Sequence, residues 1–123
     1  MKLEYRDGLL YTSIKIVCND RSVILNNIVV DTGATYCIIE PSVLEKLGLT
    51  FTKEDEIETF YGVNGLFSYV KRTADSMMIG NKSVENVSFY VGTVDDTIYG
   101  LIALDILIKA GAVIDFKNLK ISF

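Results

Sequence analysis

Apolar and polar residues alternate with a period of two along much of this chain, the pattern of half-buried β-strands. Leu9 to Val17 reads as a strand with Ile14 and Ile16 on one face. Asn19-Asp20 predicts a turn, and Ser22 to Val30 predicts a second strand that ends in an apolar run. Cys37-Ile38-Ile39 predicts a short strand. Pro41 sits where a first helical turn begins, opening a short helix through Leu44 and Leu47 that stops at Gly48.

Ile57 to Tyr61 and Leu66 to Ile79 are extended runs separated by Gly62-Val63-Asn64-Gly65, a hairpin with glycines where the chain reverses. Val84 to Val91 predicts another strand, with Val87, Phe89 and Val91 on one face, followed by a polar loop from Thr93 to Thr97. Gly100 to Ala103 is apolar, and Leu104 to Ala110 suits a helix closed by Gly111. Two short strands, Ala112 to Phe116 and Leu119 to Phe123, meet at Lys117-Asn118. Many short strands with two short helices predict an all-β fold, a small closed β-barrel.

The 123 residues suit a single domain, 1–123, and half of them are apolar, enough for a core. A net charge of −4 with scattered Lys and Arg argues against nucleic acid as a partner. The acidic run Lys53-Glu54-Asp55-Glu56 reads as a solvated loop. No apolar stretch suggests a membrane span, and Met1 to Gly8 lacks the apolar core of a signal peptide. Cytoplasmic residence, with Cys18 and Cys37 reduced, is the expectation. Histidine is absent, which excludes Ser-His-Asp and Cys-His nucleophile systems and most zinc sites. Hydrolytic chemistry must then rest on carboxylates or on an oxygen-ligated metal.

One carboxylate stands out, in Ile28-Val29-Val30-Asp31-Thr32-Gly33-Ala34-Thr35. An apolar strand delivers Asp31 to a tight turn. Gly33 lets the backbone approach without a Cβ clash, and the Thr32 hydroxyl can hydrogen-bond the loop. Asp-Thr-Gly alone is weak evidence: at residue usages of roughly 5–7 % each it arises by chance in a few per cent of such chains. Its neighbours make it specific.

Together these segments resemble the retropepsin-like aspartic proteases over nearly the whole chain. Val30-Asp31-Thr32-Gly33-Ala34-Thr35 matches the family's catalytic loop. Phe60-Tyr61-Gly62-Val63-Asn64-Gly65 sits where the family has its glycine-rich flap tip, and Tyr99 to Leu107 matches the apolar segment entering its helix. Ala103 departs from the pattern, which carries glycine there.

The resemblance implies an aspartic endopeptidase acting on polypeptides, active as a symmetric homodimer, with no metal and no cofactor. Asp31, Thr32 and Gly33 would be catalytic. Ala34, Thr35, Tyr61, Gly62, Val63, Asn64 and Gly65 would bind substrate. Only one Asp-Thr-Gly occurs, so the second carboxylate would be Asp31 of another copy. Asp105, at a helix start, and Asp115, in a terminal strand, read as structural. The resemblance also suggests that the C-terminal hairpin builds the dimer sheet. The rival reading is a non-catalytic peptide-binding or dimerisation module on the same fold. Phosphoryl transfer is disfavoured, because no phosphate-cradling Gly-Lys-Ser/Thr loop exists.

Overall fold

The computed structural model describes residues 1–49, 55, 57–62, 65–94 and 97–123, with backbone alone for 58, 60–62 and 65–67. Its strands are β1 (Glu4–Arg6), β2 (Leu9–Cys18), β3 (Arg21–Val30), β4 (Ile38–Ile39), β5 (Ile57–Gly62), β6 (Gly65–Ile79), β7 (Lys82–Val91), β8 (Gly100–Ile102), β9 (Val113–Asp115) and β10 (Lys120–Ser122). Two helices, α1 (Ser42–Lys46) and α2 (Leu104–Ala110), complete the described elements. Gly111 ends α2 as predicted, in the left-handed conformation.

The strands run in the order β1-β2-β3-β8-β4-β7-β6-β5, and β2 also pairs with β6. That extra pairing, Ile14 opposite Ile79 through Val17 opposite Ser76, closes β2-β3-β8-β4-β7-β6 into a barrel. Closure pairs the two ends of this six-stranded stretch and leaves only β1 and β5 as outer strands of the sheet. The barrel is filled by Ile14, Ile16, Leu25, Met77, Ile79 and Phe89, all buried. Burying side chains of this size contributes about 1.5–3 kcal/mol each.

β3 does not alternate cleanly. Its pairing with β2 shifts between Thr12 opposite Ile28 and Ile14 opposite Leu25, a bulge in which Asn27 adopts a positive φ of 57°. Before the bulge Leu25 points into the main core, and beyond it Ile28 and Val30 do so. Val29 faces the other way, into a smaller cluster with Tyr11, Ile98, Leu101 and Ala103. The same alternation puts Asp31 on the Val29 side.

β1 was not anticipated from the pattern. It pairs antiparallel with β2 across the turn at Asp7-Gly8, a dipeptide that is itself a hairpin signal. The chain start also joins the C-terminal hairpin. Lys2 bridges to Lys120, the Leu3 amide donates to Leu119 at 2.8 Å, and the Ile121 amide donates to Met1 at 2.9 Å. The acidic run departs from expectation at Asp55, which is drawn to Arg72 of β6 in a half-buried ion pair at 2.9 Å. Lys53, Glu54 and Glu56 lie outside the described residues.

Candidate active site

The segment between β3 and β4 is built around a topological peculiarity. β3 and β4 follow each other in sequence but do not pair, because β8 lies between them, parallel to β3 and antiparallel to β4. The connecting loop therefore passes over the end of β8 and the start of α2. Gly100 makes room for this: a Cβ there would lie 2.2 Å from the Ile38 carbonyl oxygen.

The loop is pinned to the α2 end along its length. The Asp31 amide donates to the Ile102 carbonyl at 2.9 Å. The Leu104 and Asp105 amides donate to the carbonyls of Ala34 and Thr35, at 3.0 and 3.2 Å. Within the loop, the Gly33 amide donates to Asp31 Oδ1 at 2.9 Å and the Ala34 amide to the Asp31 carbonyl at 3.4 Å. A Cβ on Gly33 would sit 3.3 Å from Asp31 Oδ1, crowding that carboxylate.

Asp31, Thr32, Gly33, Ala34 and Thr35 thus stand together as one loop at the barrel rim. Asp31 and Ala34 are half-buried, whereas Thr32, Gly33 and Thr35 are exposed. Among the described residues the Thr32 hydroxyl has no hydrogen-bond partner; the bond ordering the loop comes from Gly33. The small cluster of Tyr11, Val29, Ile98, Leu101 and Ala103 packs beneath, with Ala34 and Ile38 against it. Arg6 caps that cluster, its guanidinium 4.1 Å over the Tyr11 ring and bonded to Asn27 Oδ1 at 2.7 Å. Sequence periodicity could not single out this cluster, because its members come from three separate stretches of chain.

Ala103 fits without strain. Its backbone is extended, with φ −118° and ψ −173°, and its methyl group is fully buried in the small cluster. Nothing at this position requires glycine, and the loop keeps its bonds to α2.

Two residues behind the loop were not anticipated as part of it. Cys37 is fully buried, and its amide donates to Asp105 Oδ2 at 3.2 Å. Its thiol donates to Asp105 Oδ1 at 3.3 Å. Burial, and after it the charge of Asp105, push the Cys37 thiol up, so it keeps its proton and acts as donor. Cys18 is also free and buried. Asp115 lies elsewhere, accepting from the amide and side chain of Asn118 in the β9–β10 turn.

The predicted hairpin forms from β5 and β6, with Gly62 opposite Gly65. From Val70 onward β6 pairs with β7 in the barrel wall, whereas Gly65 to Tyr69 pair with β5. The hairpin is thus an arm on the barrel, tied at its base by Arg72 and Asp55. Val63, Asn64 and the side chain of Tyr61 lie outside the described residues. Among the described residues no group of three or more His, Cys, Asp or Glu side chains could hold a metal ion. No helix there is long and apolar enough to cross a membrane.

A family model described as aspartyl protease matches residues 14–106. That span includes the Asp31 loop, the β5–β6 arm and the start of α2. The crystal structure of a retropepsin-like aspartic protease from Rickettsia conorii is similar, with 30% sequence identity and a TM-score of 0.68. The match covers 97% of this chain and 93% of that one. No curated protein matches the sequence. With the family model spanning the barrel and its rim loop, and the likeness running nearly end to end, this chain belongs to the aspartyl protease family and has the retropepsin-like fold.

Proposed function

We propose that the chain is an aspartic endopeptidase in which Asp31 and Asp31 of a second copy together activate a water for peptide hydrolysis. The observation that carries this reading is the state of the rim loop: one carboxylate, ordered by the Gly33 amide and flanked by exposed Thr32, Gly33 and Thr35. Asp105, at the start of α2 beside the loop, is already engaged by Cys37. A single such loop is half a site. Two-fold pairing is the simplest way to bring a second carboxylate to the first.

Facing carboxylates about 3 Å apart cannot both ionise comfortably, so the pair shares one proton. The ionised member takes a proton from water, which attacks the peptide carbonyl. The protonated member hydrogen-bonds the developing oxyanion. Thr32 reaches the opposite loop, which suits its exposed hydroxyl. Ala34, Thr35 and the arm residues Tyr61, Gly62, Val63, Asn64 and Gly65 hold an extended polypeptide by its backbone. Neither metal nor cofactor enters the chemistry.

The test is Asp31→Asn, assayed on a denatured protein across a range of pH. The variant folds and dimerises but yields no fragments. Mixed in equal amounts with wild type under subunit exchange, it lowers wild-type activity to about half, because random pairing puts half of the wild-type chains in mixed dimers. Full activity in Asp31→Asn would refute the assignment. A wild type that binds unfolded chains without cutting them would favour the non-catalytic module instead.

A further inference from the structure

Asp105 takes no part in the chemistry above, yet its carboxylate is engaged on both oxygens. Oδ2 accepts the Cys37 amide at 3.2 Å, and Oδ1 accepts the Cys37 thiol at 3.3 Å and the Ile106 amide at 2.7 Å. The Cys37 sulfur in turn accepts the Ala103 amide at 3.5 Å. Thr35 and Ala34 are held by backbone bonds from Asp105 and Leu104. Asp105 thus grips the far end of the Asp31 loop, while Ile102 grips its beginning through the Asp31 amide.

The grip is placed to matter. The loop's outer residues are exposed, so the contacts that restrain it come from the β8–α2 side and, at Cys37, from Tyr90 of β7. Backbone bonds hold the carbonyls of Ala34, Thr35 and Cys37, the last through the Tyr90 amide of β7 at 2.9 Å, but the Cys37 amide and thiol are left to the Asp105 carboxylate. With one acceptor oxygen on each of these groups, the carboxylate fixes the orientation of Cys37, since both bonds must bend together. Charge-assisted bonds are about twice as strong as neutral ones. Cys37 is fully buried, so water cannot replace a lost bond there.

We propose that Asp105 is a positioning residue for the reaction, holding the Asp31 loop in register through the amide and thiol of Cys37. The proposal rests on the catalytic reading of Asp31. Cys37 is then a structural relay, chosen because a small buried thiol both donates to Asp105 and accepts from Ala103.

Kinetics and amide exchange on the full-length chain test it together. The substrate is a peptide taken from a wild-type cleavage site in a denatured protein. In Asp105→Asn, one oxygen becomes an N–H₂ group, which in either orientation faces a backbone N–H, that of Cys37 or that of Ile106. Its kcat is expected to fall about tenfold or more with KM changed less than about twofold, since small misplacements of reacting groups cost up to about a hundredfold. Cys37→Ala should fall similarly, whereas Cys37→Ser, which retains an O–H donor, should stay within about threefold of wild type. The double variant Asp105→Asn/Cys37→Ala should be little worse than either single one, because the two act as a unit. Hydrogen exchange at Gly33 and Cys37 should quicken about tenfold in Asp105→Asn while β2 amides stay unchanged.

Unchanged kcat, a Cys37→Ser variant as impaired as Cys37→Ala, or unaltered exchange at Gly33 would overturn the positioning role. If wild type cleaves nothing, the catalytic reading falls on its own, and the positioning role of Asp105 in that reaction falls with it. The exchange data then report only whether Asp105 orders the loop.

Discussion

Cys37 reports its surroundings through its own titration, without any substrate. Burial first, and the Asp105 charge second, raise the thiol above its ordinary value of 9.0. The folded state therefore holds a proton that the unfolded chain releases from about pH 9 upward. Stability is complete below that pH and falls as pH rises through the folded value, by at most about 1.4 kcal/mol per pH unit for one proton. Urea titrations from pH 7 to pH 10.5 should show this decline in wild type and a flatter profile in Cys37→Ser. A slope unaffected by the substitution would assign the alkaline loss to other groups. Asp31 and Cys37 differ in how legible they were. The Asp-Thr-Gly turn is local chemistry, readable from adjacent residues. The pairing of Cys37 with Asp105 spans 68 positions and leaves no local trace.

At the scale of elements, most boundaries followed from apolar spacing and turn residues. α2 occupies Leu104–Ala110 as predicted, with Asp105 in its first turn and Gly111 after it. The hairpin glycines Gly62 and Gly65 face each other as expected. β1 escaped notice because three residues are too few to show a period, although Asp7-Gly8 marked its turn. β8 shows how tightly elements fit. Gly100 has φ +155°, and the Ile38 carbonyl oxygen occupies the space of a side chain. Gly100→Ala should cost more than about 2 kcal/mol, as backbone strain and a displaced β4 combine. Chemical denaturation measures this; a loss under about 0.5 kcal/mol would mean that β4 shifts freely. The loop above β8 would then be less rigidly held than its hydrogen bonds indicate.

For the whole molecule, pairing of two copies needs a surface as well as a site. Ile108, Val113 and Phe116 are large apolar residues with 73%, 60% and 66% of their surface exposed. They lie on or beside α2 and β9, the part of the chain that follows directly from the loop-holding segment. Among the described residues, β9 pairs with β10 only, which leaves its outer edge available to another strand. If two copies pair as proposed, this edge is the expected contact, as the sequence expectation for the C-terminal hairpin has it. Phe116→Glu should then raise the dimer dissociation constant about tenfold or more, since burying a charge in place of an aromatic anchor costs upward of about 1.4 kcal/mol. Sedimentation gives the constant, and activity should fall in step at low concentration. Dimers unaffected by the change would move the interface elsewhere.

The sequence by itself determined the β-rich class, the hairpin arm, α2 and the acid-bearing turn, because each depends on neighbours within a few residues. Tertiary structure decided which way Asp31 faces. Straight alternation from Leu25 would have set Asp31 among the core positions. The bulge at Asn27 shifts the phase, so Ile28 and Val30 fill the barrel and Asp31 follows in the phase of Val29. Tertiary structure also decided what holds the loop. β8 inserts between β3 and β4, and only that crossing brings Asp105 to Cys37. Periodicity records which residues avoid water; it does not record which distant segment they meet when they do so.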